Sequence, residues 1–448
     1  MTNQISIAGV LDEIQSSGRG YENFITLCDD AGGRFSGTGG ERLARDYIAG
    51  EVEKFGLEEV HLEPFEYLSW HRDEASIEVT APVRRNLGAL SLAYSPSTEA
   101  GGIEADLEFV PEPTGKCFSG MADDIEGKIV LTYIGKGVGP ACQSTHWANA
   151  FGAEALVLMA NHYGSLQPAG SCRWNQPGPL PVLSVSREEG EYLVRLLNRF
   201  EGATVKCHLH NTMEGGRGWN VVGEIPGSDR SGEQVVIGCH YDGFDIAQSA
   251  IDNASGTAAI MEVARALTRG GVSPERTLRF VWFGAEELGM IGSQAYVENH
   301  SREMGDVVAM ITTDWPGSPA SCGVQRPFTE LSTHLERSLG GDIGSVSAGL
   351  GMYSDHFPFT LEGVPAMWIG GSITGRDLEI YHTVFDTADK VPPGVITDSA
   401  ILMTRIIMEL ASTGEHPSRH RSGDEIRKLL EEEGRSKDLE IEGRWRNA

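Results

Sequence analysis

GEQVVIGCHYDGFDIAQSAIDNASGTAAIMEVARAL, residues 232–267, reads as a strand, a polar loop and a helix in immediate succession. Gln234 to Cys239 is an apolar, β-branched run, and it delivers His240 at its carboxyl end with Asp242 two positions on. In an open α/β sheet the carboxyl ends of the strands are where ligands gather. Asp252 and Asn253 follow, then Ser255 as the expected N-cap. Ile260, Val263, Ala264 and Leu267 recur at helical spacing, so Asp252 stands just before a helix N-terminus.

The same grammar repeats downstream. TLRFVWFGAEELGMIGS (277–293) places Glu286 and Glu287 in the turn beyond a second strand, where adjacent carboxylates can divide metal binding from proton transfer. VVAMITTD (307–314) is a third strand ending at Asp314, and EIYHTVFDTADKV (379–391) supplies Tyr381 and His382. A lone strand-end His or Asp is ordinarily a cap or a satisfied polar group. His240, Asp252, Glu287, Asp314 and His382 together are an imidazole and carboxylate set without thiolate. Such a set suits zinc, and also cobalt or manganese, in an open catalytic site. Two ions roughly 3.5 to 4 Å apart need a bridging carboxylate, and this set supplies two terminal ligands for each ion and one bridge.

The strings HYDGFD, AIDNASG, FGAEELGMIGS, SDHFPF and YHTVFDTAD, in this order, resemble the double-zinc aminopeptidase family. That family also contains glutamate carboxypeptidase and the catalytically inactive transferrin receptor. The resemblance implies an α/β fold of the zinc-exopeptidase, phosphorylase/hydrolase-like kind, with a mixed, mostly parallel sheet flanked by helices. It implies two zinc ions per chain: His240 and Asp314 on one, Glu287 and His382 on the other, Asp252 between them. A metal-bridging hydroxide would be the nucleophile. Glu286 would be the general base, Asp242 the carboxylate orienting His240, and Tyr381 the phenol that polarises the scissile carbonyl. It also implies a cis peptide between Asp252 and Asn253. His356 is kept outside the metal shell. Trp315 and Pro316, where relatives continue with an apolar residue and glycine, are expected to wall one metal.

From Gly101 to Glu214 the text changes character. GKIVLTYIGKG (127–137), WANAFGAEALVLMAN (147–161) and LPVLSVSREEGEYLVRLL (180–197) order strand, helix-strand and strand-helix, which resembles the inserted protease-associated domain of several such peptidases. Gly152 fits a tight helix-to-strand turn. Arg173 and Trp174 are candidates for touching substrate from a loop. The expected division is therefore 1–88 and 216–415 for the catalytic domain, 89–215 for the smaller α/β or β-rich insertion, and 416–448 for a charged tail with one short amphipathic helix. In the N-terminal part, ERLARDYIAGEVEKFGL (41–57) predicts a helix with Leu43, Tyr47, Val52 and Phe55 on one face, stopping at Gly56.

Composition narrows the partners. With 64 acidic against 36 basic residues the formal charge is −28, which argues against nucleic acid and anionic membranes. No run approaches the roughly 20 apolar residues of a membrane span. No secretory signal is read at the N-terminus, and seven cysteines without pairing spacing suit a reducing compartment, so a cytoplasmic enzyme is expected. The expected activity is removal of N-terminal residues from peptides. A carboxypeptidase, dipeptidase or N-acyl-amino-acid hydrolase is the alternative, for which Arg326 and Arg376 are candidate carboxylate binders. An inactive receptor-like homologue is the more distant one, since the ligand set is complete. A homo-oligomer is left open.

Overall fold

The computed structural model describes residues 6–135, 139–316, 320–340, 346–371, 376–414 and 416–445. Its strands, in chain order, are β1 (Glu58–Ala81), β2 (Arg85–Leu87), β3 (Leu90–Ser91), β4 (Ile103–Phe109), β5 (Ile129–Tyr133), β6 (Ala155–Met159) and β7 (Val182–Val185). They continue with β8 (Thr204–Ile225), β9 (Arg230–His240), β10 (Arg276–Phe283), β11 (Val307–Asp314), β12 (Ala320–Gln325), β13 (Ser347–Gly349) and β14 (Ala366–Gly371). The chain divides into two compact units: Met1–Glu66, Arg217–Thr374 and Phe385–Glu432 form the first, and Tyr67–Gly216, Gly375–Val384 and Glu433–Ala448 the second.

In the first unit the strands run in the order β13-β12-β14-β11-β9-β10-β8. The pairs β14-β11, β11-β9 and β9-β10 are parallel, whereas β12-β14 and β10-β8 are antiparallel. The sheet is therefore mixed and mostly parallel. Val235, Val236, Leu278, Phe280, Val281, Met310 and Ile311 are all fully buried, the continuous apolar text of strands covered on both faces. Helix Ser255–Arg269 packs on the sheet and against helix Pro393–Ser412.

Helix Gly39–Phe55 starts where the side chain of Thr38 accepts from the Glu41 amide at 3.3 Å and stops at Gly56. Its inward face differs from the expected one. Ala44, Ile48 and Val52 are fully buried, while Leu43 is 59 % exposed. The small Ala44 at the i, i+4, i+8 spacing allows close approach to helix Ser255–Arg269, and the stripe turns away from Leu43.

In the second unit β4, β5, β6 and β7 are parallel neighbours, and β3 pairs antiparallel with β7. Helix Arg187–Arg199 falls in the position read from the sequence, whereas helix Gly139–Ala150 begins before the 147–161 string and only its last turn lies within it. Gly152 makes the tight turn into β6 at φ +76°, a left-handed conformation that suits glycine. Ile129, Leu131, Val157, Leu183 and Leu193 share its core.

The sequence reading places the junctions at 88/89 and 215/216. β1 and β8 are single long strands, and the units part within each, at 66/67 and 216/217. The C-terminal residues are not a free charged tail. Helix Gly423–Glu432 buries Ile426 and Leu430, and the segment before it is held in the first unit by Arg421 N–H to Gly363 O (2.9 Å) and by His420 Nε2 with Val307 O (2.9 Å). A further helix, Ser436–Ile441, buries Leu439 and Ile441 in the second unit. There the Arg173 guanidinium donates to Ile441 O, and Trp174 lies buried beneath the Arg444 guanidinium. Both loop residues, candidates for touching substrate, thus contact the chain's own C-terminal segment.

Candidate metal centre

Three adjacent parallel strands end side by side in the first unit. His240 closes β9, its register partner Phe283 closes β10 just before the Glu286–Glu287 turn, and Asp314 closes β11. A side chain at the carboxyl end of each strand therefore meets the others at one edge. His240 Nε2 lies 3.1 Å from Asp252 Oδ1 and 3.4 Å from Asp314 Oδ1, and the donor atoms of these three residues all lie within 4.8 Å of one another. His240 and Asp252 are buried, and Asp314 keeps 18 % of its side chain exposed.

Asp252 reaches this position through an irregular turn, Ala250–Ala254, and its bond to Asn253 is cis, as the resemblance implied. The Asn253 amide donates to Thr313 O on β11 (3.0 Å), and its carbonyl oxygen accepts from the Gly256 amide (3.1 Å). Asn253 therefore caps the following helix. Ser255 was the expected cap, but its hydroxyl donates back to Ile251 O at 2.9 Å because the turn already carries it into the helical spiral.

Asp242, expected to orient the His240 imidazole, makes its hydrogen bonds elsewhere. Its Oδ1 is 3.6 Å from His240 Nδ1, longer than a hydrogen bond. Its two oxygens accept from the amides of Glu286 (3.0 Å) and Glu287 (3.3 Å), and one also from the Ser36 hydroxyl (3.3 Å). The turn carrying both glutamates, entered through Ala285 at φ +56°, is thus fastened to the strand that carries His240. Asp386, within a matched string but not singled out in the sequence, plays the same part for Asp252: its oxygens accept from the Ile251 amide (2.7 Å) and the Asp252 amide (3.2 Å). The fully buried Arg34 binds backbone on either side of the loop between the two ligands, donating to Tyr241 O at 2.8 Å and Ser249 O at 2.9 Å.

The charge balance of this edge is short of cations. Burial, reinforced by Glu287, Asp355 and Asp314, pushes the Glu286 carboxyl well above its usual range. Burial likewise raises Asp314, and raises Asp355 and Asp386 to about 7. Burial disfavours the His240 imidazolium, but the neighbouring carboxylates of Asp242, Asp252 and Asp314 override it and lift that pKa. Like-charged carboxylates crowded in a buried site are stabilised by a multivalent cation. An imidazole with two carboxylates, all convergent, fits zinc.

Tyr381 and His382 belong to the second unit. His382 is buried, adopts φ +54°, and its ring stacks on that of Tyr381 with centroids 3.7 Å apart. Its carbonyl accepts from the Ala169 amide at 2.7 Å. His356 is buried against Trp368, and burial drives its pKa down to about 3, as for a packing imidazole. Trp315 (φ +54°) and Pro316 follow Asp314 directly, with Pro316 buried. Arg326 opens a short turn after β12, and the side chain of Arg376 lies outside the described residues. Among the described residues no helix is long and apolar enough to cross a membrane.

Comparison with known proteins places this edge. Residues 220–407 match the model of Peptidase family M28. Aminopeptidase YwaD of Bacillus subtilis (strain 168) is 27 % identical over 411 residues, covering 89 % of this chain and 85 % of that one. Carboxypeptidase Q of Xenopus laevis is 25 % identical over 318 residues, 67 % of this chain and 66 % of the relative, so slightly less than two thirds of that protein is matched. Among solved structures, a Peptidase M28 precursor from Shewanella amazonensis SB2B superposes with a TM-score of 0.82 at 22 % identity, covering 93 % of this chain and 98 % of that one. BSAP, a zinc aminopeptidase from Bacillus subtilis, gives 0.70 at 23 % identity over 90 % and 97 %. The stretch that matches, residues 220–407, contains His240, Asp252, Glu287, Asp314 and His382, so the part of the chain that carries the strand-end donors is similar to peptidase family M28.

Proposed function

We propose that this protein is a zinc exopeptidase that uses two ions to remove N-terminal residues from peptides. The observation that carries the reading is the convergence of His240, Asp252 and Asp314 beside a turn that presents Glu286 and Glu287. His240 and Asp314 would hold one ion, Glu287 and His382 the other, and Asp252 would be shared between them. Zinc, when bound, lowers the pKa of a water towards about 7 and polarises a carbonyl. Glu286 takes a proton from the attacking water on its carboxylate and delivers it to the departing nitrogen, a role that suits a buried carboxyl whose pKa is raised. Asp242 fixes the Glu286 amide and so the direction of that carboxylate. The Tyr381 hydroxyl donates to the scissile carbonyl oxygen as negative charge develops there. The second unit is read as a protease-associated-like domain, and the seven free cysteines support a reducing compartment.

The likeness to carboxypeptidase Q favours one second reading, cleavage at the other end of the peptide. Elemental analysis of purified protein, paired with assays on aminoacyl anilides and on N-acyl amino acids, tests both. Two zinc ions per chain with anilide cleavage is the expected result. Two ions with cleavage of N-acyl amino acids only would replace it with the second reading, and one ion or none after zinc supplementation would end the two-ion mechanism.

A further inference from the structure

Two imidazoles of the first unit converge on one carboxylate oxygen. Glu63 Oε1 lies 3.1 Å from His61 Nε2 and 2.9 Å from His300 Nε2. His61 and Glu63 stand near the start of β1, whereas His300 follows helix Ile291–Asn299. That helix leads from the Glu286–Glu287 turn to His300, a span of about 14 Å at the usual helical rise.

Each imidazole has its other nitrogen occupied. His61 Nδ1 lies 2.6 Å from Glu59 O, and because a carbonyl only accepts, Nδ1 carries the proton. Glu59 adopts φ +50°, uncommon for a residue with a side chain, and it is this residue whose carbonyl meets the ring. His300 Nδ1 lies 3.3 Å from Glu303 Oε1, while Glu303 Oε2 accepts from the Arg279 guanidinium at 3.0 Å. Stacking on Tyr296, with centroids 4.4 Å apart, further fixes the His300 ring. In neutral His61 the Nε2 lone pair therefore faces a carboxylate oxygen, acceptor against acceptor, an arrangement stabilised by a cation between them. The remaining Glu63 oxygen, Oε2, is buried and has no hydrogen-bond partner among the described residues.

We propose that His61, Glu63 and His300 form a zinc site separate from the catalytic edge, with Glu59 O and Glu303 as the acceptors that orient its two imidazoles. Two imidazoles and a carboxylate suit zinc, and ligating histidines ordinarily give their other N–H to a carbonyl or a carboxylate. Two ligand atoms of one tetrahedral zinc, each roughly 2.1 Å from it, stand roughly 3.4 Å apart, close to the 3.1 and 2.9 Å found here. The cluster is more open than the catalytic triad, whose donor atoms all lie within 4.8 Å of one another, and His61, with half of its side chain exposed, closes on the ion. Bound there, zinc ties the start of β1 to the far end of the helix that follows the Glu286–Glu287 turn. Without zinc, protons take its place.

The test is the zinc content of the full chain by elemental analysis, after equilibration with excess zinc and gel filtration. His61→Ala and Glu63→Ala should each hold about one ion fewer than the native protein. That difference does not depend on how many ions the catalytic edge binds, so failure of the two-ion reading and failure of this site are distinguishable. His210→Ala removes an exposed imidazole beside a single carboxylate, Asp73 at 3.1 Å, and should keep the native content. Added zinc should also raise the thermal unfolding midpoint of the native protein more than that of His61→Ala. If Glu63→Ala does not fold, the half-exposed His61 decides alone. A zinc content left unchanged by His61→Ala or by folded Glu63→Ala, or lowered equally by His210→Ala, would overturn the site.

Discussion

Replacing Arg34 with Lys isolates the geometry of the loop between His240 and Asp252 while keeping its charge. The guanidinium is fully buried, and its nitrogens donate to five backbone carbonyls: Nε to Tyr241 O, Nη1 to Leu27 O, Gly32 O and Gln248 O, and Nη2 to Ser249 O, at 2.6 to 3.4 Å. A lysine has one nitrogen with three donors, so at least two of those carbonyls lose their partner in a site that water does not reach. At about 1.5 kcal/mol for each stranded acceptor the loss is about 3 kcal/mol, a large part of the 5 to 15 kcal/mol that typically holds a domain. The positive charge facing Asp242, Asp252 and Asp386 is retained, so a shortfall comes from the lost fork. Urea unfolding should show the lower midpoint at unchanged slope. Competition with a chromophoric chelator should show zinc affinity reduced about 10-fold, as for other outer-sphere supports of metal ligands. A stability change under about 1 kcal/mol with unaltered zinc affinity would refute the role given to Arg34.

Glu286→Gln should keep its zinc content and lose turnover by at least about 100-fold, whereas Asp252→Ala should lose zinc; substantial activity in the first or full metal content in the second reverses the assignments. His300 bonds Glu63 at 2.9 Å, and that bond, opposed by burial, raises its pKa above the usual 6.5. Because the folded value is the raised one, its contribution, on the order of 1 kcal/mol, is complete below about pH 6.5 and disappears as pH rises through the folded pKa. The stability gap between the native protein and His300→Gln, measured by denaturant at pH 6 and pH 9, should therefore shrink at pH 9, and a constant gap contradicts this. Gly363 sits at φ +76° with the Arg421 carbonyl against the place a Cβ would occupy. Gly363→Ala should cost about 2 kcal/mol and make residues 416–432 accessible to limited proteolysis, and protection equal to the native protein would show that this segment is held by other means.

Each strand that carries a ligand announces itself through local text. Val235 to Cys239, Leu278 to Phe283 and Val307 to Ile311 are apolar runs whose burial on both faces follows from composition, and a polar residue at the end of such a run is placed by the run itself. Thr38 and Gly56 bracket their helix by chemistry confined to a few neighbouring positions. The motif spacing then sufficed to nominate His240, Asp252, Glu287 and Asp314, and the first unit presents His240, Asp252 and Asp314 as one donor set.

What the sequence could not supply is which distant groups support them. Arg34 meets Ser249 across 215 residues and Asp386 meets Asp252 across 134, and a single Arg or Asp has no local signal for such a partner. Asp242 was legible as a neighbour of His240, yet its stronger bonds run to the amides of Glu286 and Glu287, a choice made by the adjacency of β9 and β10. The replacement of Ser255 by Asn253 as cap, the turning of Leu43 to solvent and the docking of the C-terminal helices have the same origin. Local text determines which residues can form an element, because period and capping act over one or two turns. The partner an element meets is decided by which surfaces the folded chain leaves to be buried, and only the tertiary structure contains that.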